Sequence, residues 1–180
     1  MEKQENKKKG WPLKIGIVAV IVIAIGAIWF VKNQSAPVVE PPAEGSNTDF
    51  VLEATAIDLE ALTAYELPII IDFGADSCIP CKEMAPVLKT LNADMQEKAI
   101  IKFVDVWKNP DAAQDFPVQV IPTQIFIAAD GKYYEPSPDL GIEFIQYTYR
   151  DTGEIAFTAH QGGLTEEQMR AILVDMGVGE

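Results

Sequence analysis

Cys78 and Cys81 are the only cysteines of this 180-residue chain, and they stand as Cys78-Ile-Pro-Cys81. At the start of a helix such a pair can close a small disulfide, and the helix N-terminus stabilises the thiolate of the first cysteine. Cys78 is then the candidate nucleophile. Cys81, one helical turn further in and more shielded, is placed to attack a mixed disulfide on Cys78 and release the reduced partner. Pro80 suits the first turn, where its missing N–H costs little. A disulfide-stapled secreted domain would carry several pairs at wider separations. Zinc needs about four ligands, and the chain offers one histidine, His160, and no further cysteine. An inert structural bridge would gain little, because so short a loop removes little unfolded-state entropy. No metal and no cofactor beyond the Cys78–Cys81 disulfide is expected.

The elements that must position this pair read as alternating strands and helices. Phe50 to Ala54 reads as a short first strand, and Asp58 caps a helix through about Glu66 with Leu59 and Leu62 on its inner face. Pro68-Ile-Ile-Ile-Asp-Phe73 has the near-continuous apolar pattern of a central strand covered on both faces, broken only by Asp72. Gly74 to Ser77 turns, and Cys78 to about Met95 places Met84, Val87, Leu88 and Leu91 at helical spacing. Ala99 to Val106 is a second buried strand, and Asn109-Pro110-Asp111 opens a short helical turn ending near Phe116. Thr123 to Ala128 forms the next strand, Ala129 to Gly131 turns, and Glu154 to Ala159 makes a last strand. Thr165-Glu-Glu-Gln168 fits a capping box for a C-terminal helix to Met176. The pattern predicts an α/β sandwich around one mixed sheet.

The stretch from Ile71 through Cys78-Ile-Pro-Cys81 to Pro86 resembles the active-site strand, turn and helix of the thioredoxin family, and Ile121-Pro122-Thr123 resembles that family's cis-proline loop. The likeness runs from about Phe50 to Gly177, and the forty-one residues from Cys81 to Pro122 match the family's layout. It implies a thioredoxin-like fold, a mixed central sheet flanked by helices, with Cys78 attacking, Cys81 resolving and Asp72 relaying a proton to or from Cys81. Strand alternation supports the last point by sending Asp72 to the same side as Ile70, into the core, where a carboxyl holds its proton more tightly. The resemblance further implies that Ile121 and Pro122 meet substrate, since a cis Pro122 leaves the backbone of Ile121 free to pair with an extended chain. Gly162, beside His160, falls near the family's groove-bordering glycine.

The chain departs from the family where tryptophans are common, at Gly74 and Ser77. The basic residue that often accompanies the buried acid appears as Phe103, with Lys102 sent to the other face, so Asp72 is expected to titrate high. Asp76 and Glu83 oppose a thiolate at Cys78 while Lys82 favours it, which points to a weakly acidified thiol and a reducing couple. An insertion at about 132–153 holds Tyr133, Tyr134, Phe144, Tyr147 and Tyr149, which either pack a longer hairpin onto the sheet edge or dock a partner.

Charge divides the chain. Six of its fourteen basic residues lie in the first 32 positions with only two acids. The rest is strongly acidic, which argues against nucleic acid as a partner. Residues 1–14 read as a cytoplasmic basic tail. Ile15 to Val31 carries no charge and would span roughly 25 Å as a helix, so 15–32 reads as a transmembrane signal-anchor, with a cleaved signal peptide as the competing reading. The lysines before Trp11 orient the N-terminus to the cytoplasm and the catalytic domain, 50–180, outside it. Residues 33–49 read as a flexible linker.

Together these features predict an extracytoplasmic, membrane-anchored thiol-disulfide oxidoreductase. It would act on protein thiols or disulfides, as a reductase recharged by a membrane electron donor of the thiol-transporting type. A disulfide-forming oxidase and a redox-inactive peptide-binding adaptor are the alternatives.

Overall fold

In the computed structural model, residues 47–179 are described. The expected tail, the signal-anchor segment 15–32 and all but the last three linker positions lie outside them. None of the described helices is long and apolar enough to cross a membrane.

A five-stranded mixed sheet runs in the order β2-β1-β3-β5-β4, where β1 is Ile69–Gly74, β2 Ile100–Asp105, β3 Thr123–Ile127, β4 Ile145–Thr148 and β5 Ile155–Gln161. Only β1 and β2 pair in parallel; the other pairs are antiparallel. The α-helices among the described residues are α1 (Leu59–Thr63), α2 (Ile79–Asp94) and α3 (Glu166–Asp175).

Period-two alternation splits the core between the sheet's faces. Ile70, Ile101 and Phe126 pack with Met84, Leu88 and Leu91 of α2 and with Met169, Ile172 and Leu173 of α3. Ile69, Ile71, Phe73, Val104 and Ile125 pack with Leu62 of α1 and with Phe116. Every residue of β1 is buried, as its apolar run predicted. α3 begins at Thr165 with the capping box complete, Gln168 N–H donating to the Thr165 hydroxyl and Thr165 N–H to the Gln168 side chain.

Three expectations need correction. Phe50 to Ala54 is not a strand, and the linker does not reach Asp49: Thr48–Phe50 forms a 3-10 turn capped by Asn47, and only one parallel bridge, Glu53 to Phe103, joins the segment to β2. Side chains take up its carbonyls instead. Lys102 Nζ donates to Thr48 and Val51, and Asn92 and Gln96 donate to Phe50, so no ladder is needed. The helix from Asp58 stops at Thr63, well short of Glu66, which has φ +53°. The region 132–153 packs a longer hairpin onto the sheet edge, as one of its two readings had it, through a strand of its own, β4, paired with β5. Its aromatics divide: Tyr134 and Phe144 enter the core beside Phe126, Tyr147 packs on the opposite face, and Tyr149 is exposed.

Candidate functional site

The turn leaving β1 hands the chain to α2, and Cys78 is that helix's N-cap. Its sulfur accepts the orphan N–H of Cys81, 3.3 Å away. The two sulfurs are joined in a disulfide, with Cα atoms 5.3 Å apart. Cys78 is partly exposed, whereas Cys81 is buried, as expected for an attacking and a resolving thiol. Pro80 occupies the first turn and Pro86 lies inside the helix.

Gly74 closes β1 against this disulfide. A Cβ there would lie 2.9 Å from Phe103 Cε2 and 3.2 Å from Cys81 Sγ. The missing side chain therefore lets the Phe103 ring lie over the strand end, and any larger residue would push it off. This accounts physically for the joint departure at Gly74 and Phe103: the ring fills the room that a side chain at 74 would claim.

Asp72 lies opposite Phe103 on β2 and opposite Gln124 on β3. It is fully buried. Its Oδ1 accepts from Gln124 Nε2 at 2.6 Å, and the same nitrogen lies 3.5 Å from Met84 Sδ of α2. Among the described residues, Asp72 Oδ2 and Gln124 Oε1 have no hydrogen-bond partner. Burial raises the Asp72 carboxyl from 3.8 to about 7, with the Gln124 bond pulling the other way. Lys102 does turn to the far face, where burial lowers its ammonium and the Thr48 and Val51 carbonyls receive it.

The peptide bond between Ile121 and Pro122 is cis, and the Ile121 carbonyl oxygen sits 4.0 Å from Cys78 Sγ. Gly162, at φ +111°, donates its N–H to the Pro122 carbonyl at 2.9 Å, so β5 holds the proline loop from behind. The fold thus gathers Cys78, Cys81, Ile121, Pro122 and Gly162 at one end of the sheet, with Asp72 in the core below β1's last turn. His160 is half-buried, its Nδ1 2.8 Å from the Glu143 carbonyl oxygen.

Two residues were missed in the sequence. Gln124 is the one buried amide of β3; a polar residue inside TQIFI, two positions after Pro122, was the available signal. Asp105 ends β2 and accepts the N–H groups of Asp76, Trp107 and Lys108. Burial alone would raise its carboxyl, but these donors outweigh it and hold it below the ordinary range. Asp105 thereby pins the turn before Cys78 to the loop after β2. Lys108 in turn pairs with Asp76, which mutes the acid expected to oppose a Cys78 thiolate. Trp107 (65% exposed) and Val120 (51%) on loops, and Ile79 (70%) in the first turn of α2, supply exposed apolar surface around the site.

Comparison with known proteins agrees with this geometry. The family model described as Thioredoxin matches residues 51–138. The chain is 44% identical over 69 residues to Thioredoxin 1 of Chlorobaculum tepidum, covering 38% of this chain and 68% of that protein. It is 46% identical over 63 residues to a thioredoxin of Staphylococcus aureus, covering 35% of this chain and 60% of that one. The crystal structure of a chloroplastic thioredoxin z superposes with a TM-score of 0.50 at 22% identity, over 72% of this chain and 96% of that one, a likeness of fold.

Proposed function

Because the chain belongs to the thioredoxin family of protein thiol-disulfide oxidoreductases, we propose that it serves as a reductase of protein disulfides. We further place its catalytic domain outside the cytoplasm, anchored by Ile15 to Val31 and recharged by a membrane dithiol electron donor.

The observation that carries the reductase reading is the division of labour across one turn of α2. Cys78 is reachable from solvent, Cys81 is buried, and the buried acid Asp72 lies on the sheet face that α2 covers. In the reduced protein the Cys78 thiolate attacks a substrate disulfide. One substrate sulfur leaves and takes a proton, and a mixed disulfide to Cys78 forms. Cys81 gives its proton to the Asp72 carboxylate and attacks Cys78 Sγ. The second substrate sulfur leaves as a thiolate, two electrons have passed to the substrate, and the Cys78–Cys81 disulfide remains. The donor dithiol then reverses these exchanges. Among the described residues the Cys78 sulfur accepts one hydrogen bond, from Cys81 N–H. A thiolate so modestly stabilised goes with a reducing couple, since stabilising the reduced form is what raises the potential.

The outward placement rests on the basic residues before Trp11 and the uncharged run after Lys14. Trapping tests the mechanism. In Cys81→Ser a disulfide-bonded peptide should accumulate as a mixed disulfide on Cys78, and Cys78→Ser should form none; an adduct on Cys81, or turnover by Cys78→Ser, would contradict it. A membrane-impermeant thiol reagent applied to intact cells after reduction should label Cys78 if the domain faces outward, and should leave it unlabelled if it does not.

A further inference from the structure

Among the described residues the buried acid has no charged companion, and what stands in its place is an amide. Asp72 and Gln124 face each other directly across the antiparallel β1–β3 pair, joined by the 2.6 Å contact from Nε2 to Oδ1. The two atoms left over, Asp72 Oδ2 and Gln124 Oε1, are both buried. With Asp72 ionised they are two acceptors and cannot satisfy each other. With a proton on Oδ2 they become a donor and an acceptor on neighbouring end groups. A carboxylic acid and a primary amide then close a ring of two hydrogen bonds, one side of which is already formed.

We propose that Gln124 is a positioning residue for Asp72: its amide pairs with the protonated acid through both end groups, and remains as the single N–H donor when Asp72 is ionised. The buried acid can therefore change protonation state without stripping either form of its partner. The proposal rests on the reading that Asp72 exchanges a proton with Cys81. When Cys81 passes its proton to Asp72 and attacks Cys78 Sγ, Gln124 Oε1 accepts from the new carboxylic O–H. When the donor dithiol reopens the Cys78–Cys81 bond, the departing Cys81 thiolate takes that proton back and the amide returns to donating alone.

Few other groups can compete for this role. α2 brings the uncharged Met84 to 3.5 Å from Gln124 Nε2, and Cys81 against Gly74, two residues on from Asp72. β2 brings Phe103, because Lys102 is bound to carbonyls on the opposite face. On β5 the titratable neighbour is His160, opposite Gln124 and so one strand further from Asp72, with its Nδ1 at the Glu143 carbonyl.

The test is a pH titration of the oxidised full-length chain by NMR, following the Asp72 side-chain carbon and the Gln124 side-chain amide together. The two signals should move with one midpoint, near pH 7. Gln124→Met keeps the bulk and removes both polar atoms: the acid loses two neutral hydrogen bonds and the carboxylate one charge-assisted bond worth about twice as much, so the Asp72 midpoint should stay within about one pH unit of wild type, and the pH profile of mixed-disulfide resolution should stay with it. Amide signals that stay flat through the Asp72 titration, or a midpoint that rises by well over one pH unit in Gln124→Met, as loss of a donor to the carboxylate alone would give, would overturn the proposal. The wild-type titration decides it even if the variant fails to fold. A wild-type resolution rate in Asp72→Asn would sink the proton-exchange reading and leave the pairing, read directly on carboxyl and amide, standing.

Discussion

β1 presents two buried faces that solve opposite problems. Toward α1 it offers Ile69, Ile71 and Phe73, fully buried and packed on Leu62 and Phe116; nothing on that side needs a hydrogen bond. Toward α2 it offers Ile70 and then Asp72, a carboxyl as deeply buried as its apolar neighbours, with one oxygen and its partner's carbonyl oxygen left over. The first face stabilises the fold. The second lowers stability at neutral pH, because it keeps a carboxyl that ionises near pH 7 among apolar side chains. One strand can therefore be both the best-packed element of the core and its least comfortable, with the difference set by which way residue 72 points.

The comparison breaks most visibly on the apolar face. Phe73→Ala removes a ring that packs on Phe116 with centroids 4.8 Å apart, and should cost about 3–5 kcal/mol in denaturant unfolding, whatever the pH.

On the polar face Asp72→Asn should act in the other direction. The folded protein holds the Asp72 proton up to about pH 7, whereas the reference value is 3.8, so between these limits the native state binds more protons than the unfolded chain. Wild-type stability therefore falls as pH rises through that window, by up to on the order of 4 kcal/mol at about 1.4 kcal/mol per pH unit. The substituted side-chain amide does not ionise and keeps an oxygen to accept from Gln124. Unfolding curves should show wild type and variant alike near pH 4, with the variant progressively more stable toward pH 7 and the gap constant above it. The same variant should resolve mixed disulfides roughly a hundredfold more slowly. A stability gap independent of pH would mean that Asp72 does not titrate in the core.

A smaller effect sharpens the boundary between the faces. Gly74→Ala should cost about 1–3 kcal/mol, because its Cβ would meet Phe103 and Cys81. Phe103→Leu in the same chain should recover part of that loss, measured as a double-mutant cycle.

The placement of the site was legible in the sequence because its parts are local. Cys78, Pro80 and Cys81 share one helical turn, and Asp72 interrupts an otherwise apolar strand. The proline loop is also contiguous in sequence. Gln124 and Asp105 were not legible in the same way. Gln124 matters only through the register that sets β3 against β1, and Asp105 only through a turn and a loop that meet in space. The first segment misled for a related reason. Phe50 to Ala54 has the composition of a strand, yet side chains of Lys102, Asn92 and Gln96 capture its carbonyls, and no local pattern announces them. β4 hid in an aromatic stretch whose residues go to different faces.

The most direct test of the reductase reading is the reduction potential of the full-length chain, equilibrated against glutathione or dithiothreitol buffers and read by thiol alkylation. The account predicts a value near the thioredoxin end of the scale, roughly −270 mV; a value near about −120 mV would contradict it and make the protein a donor of disulfides.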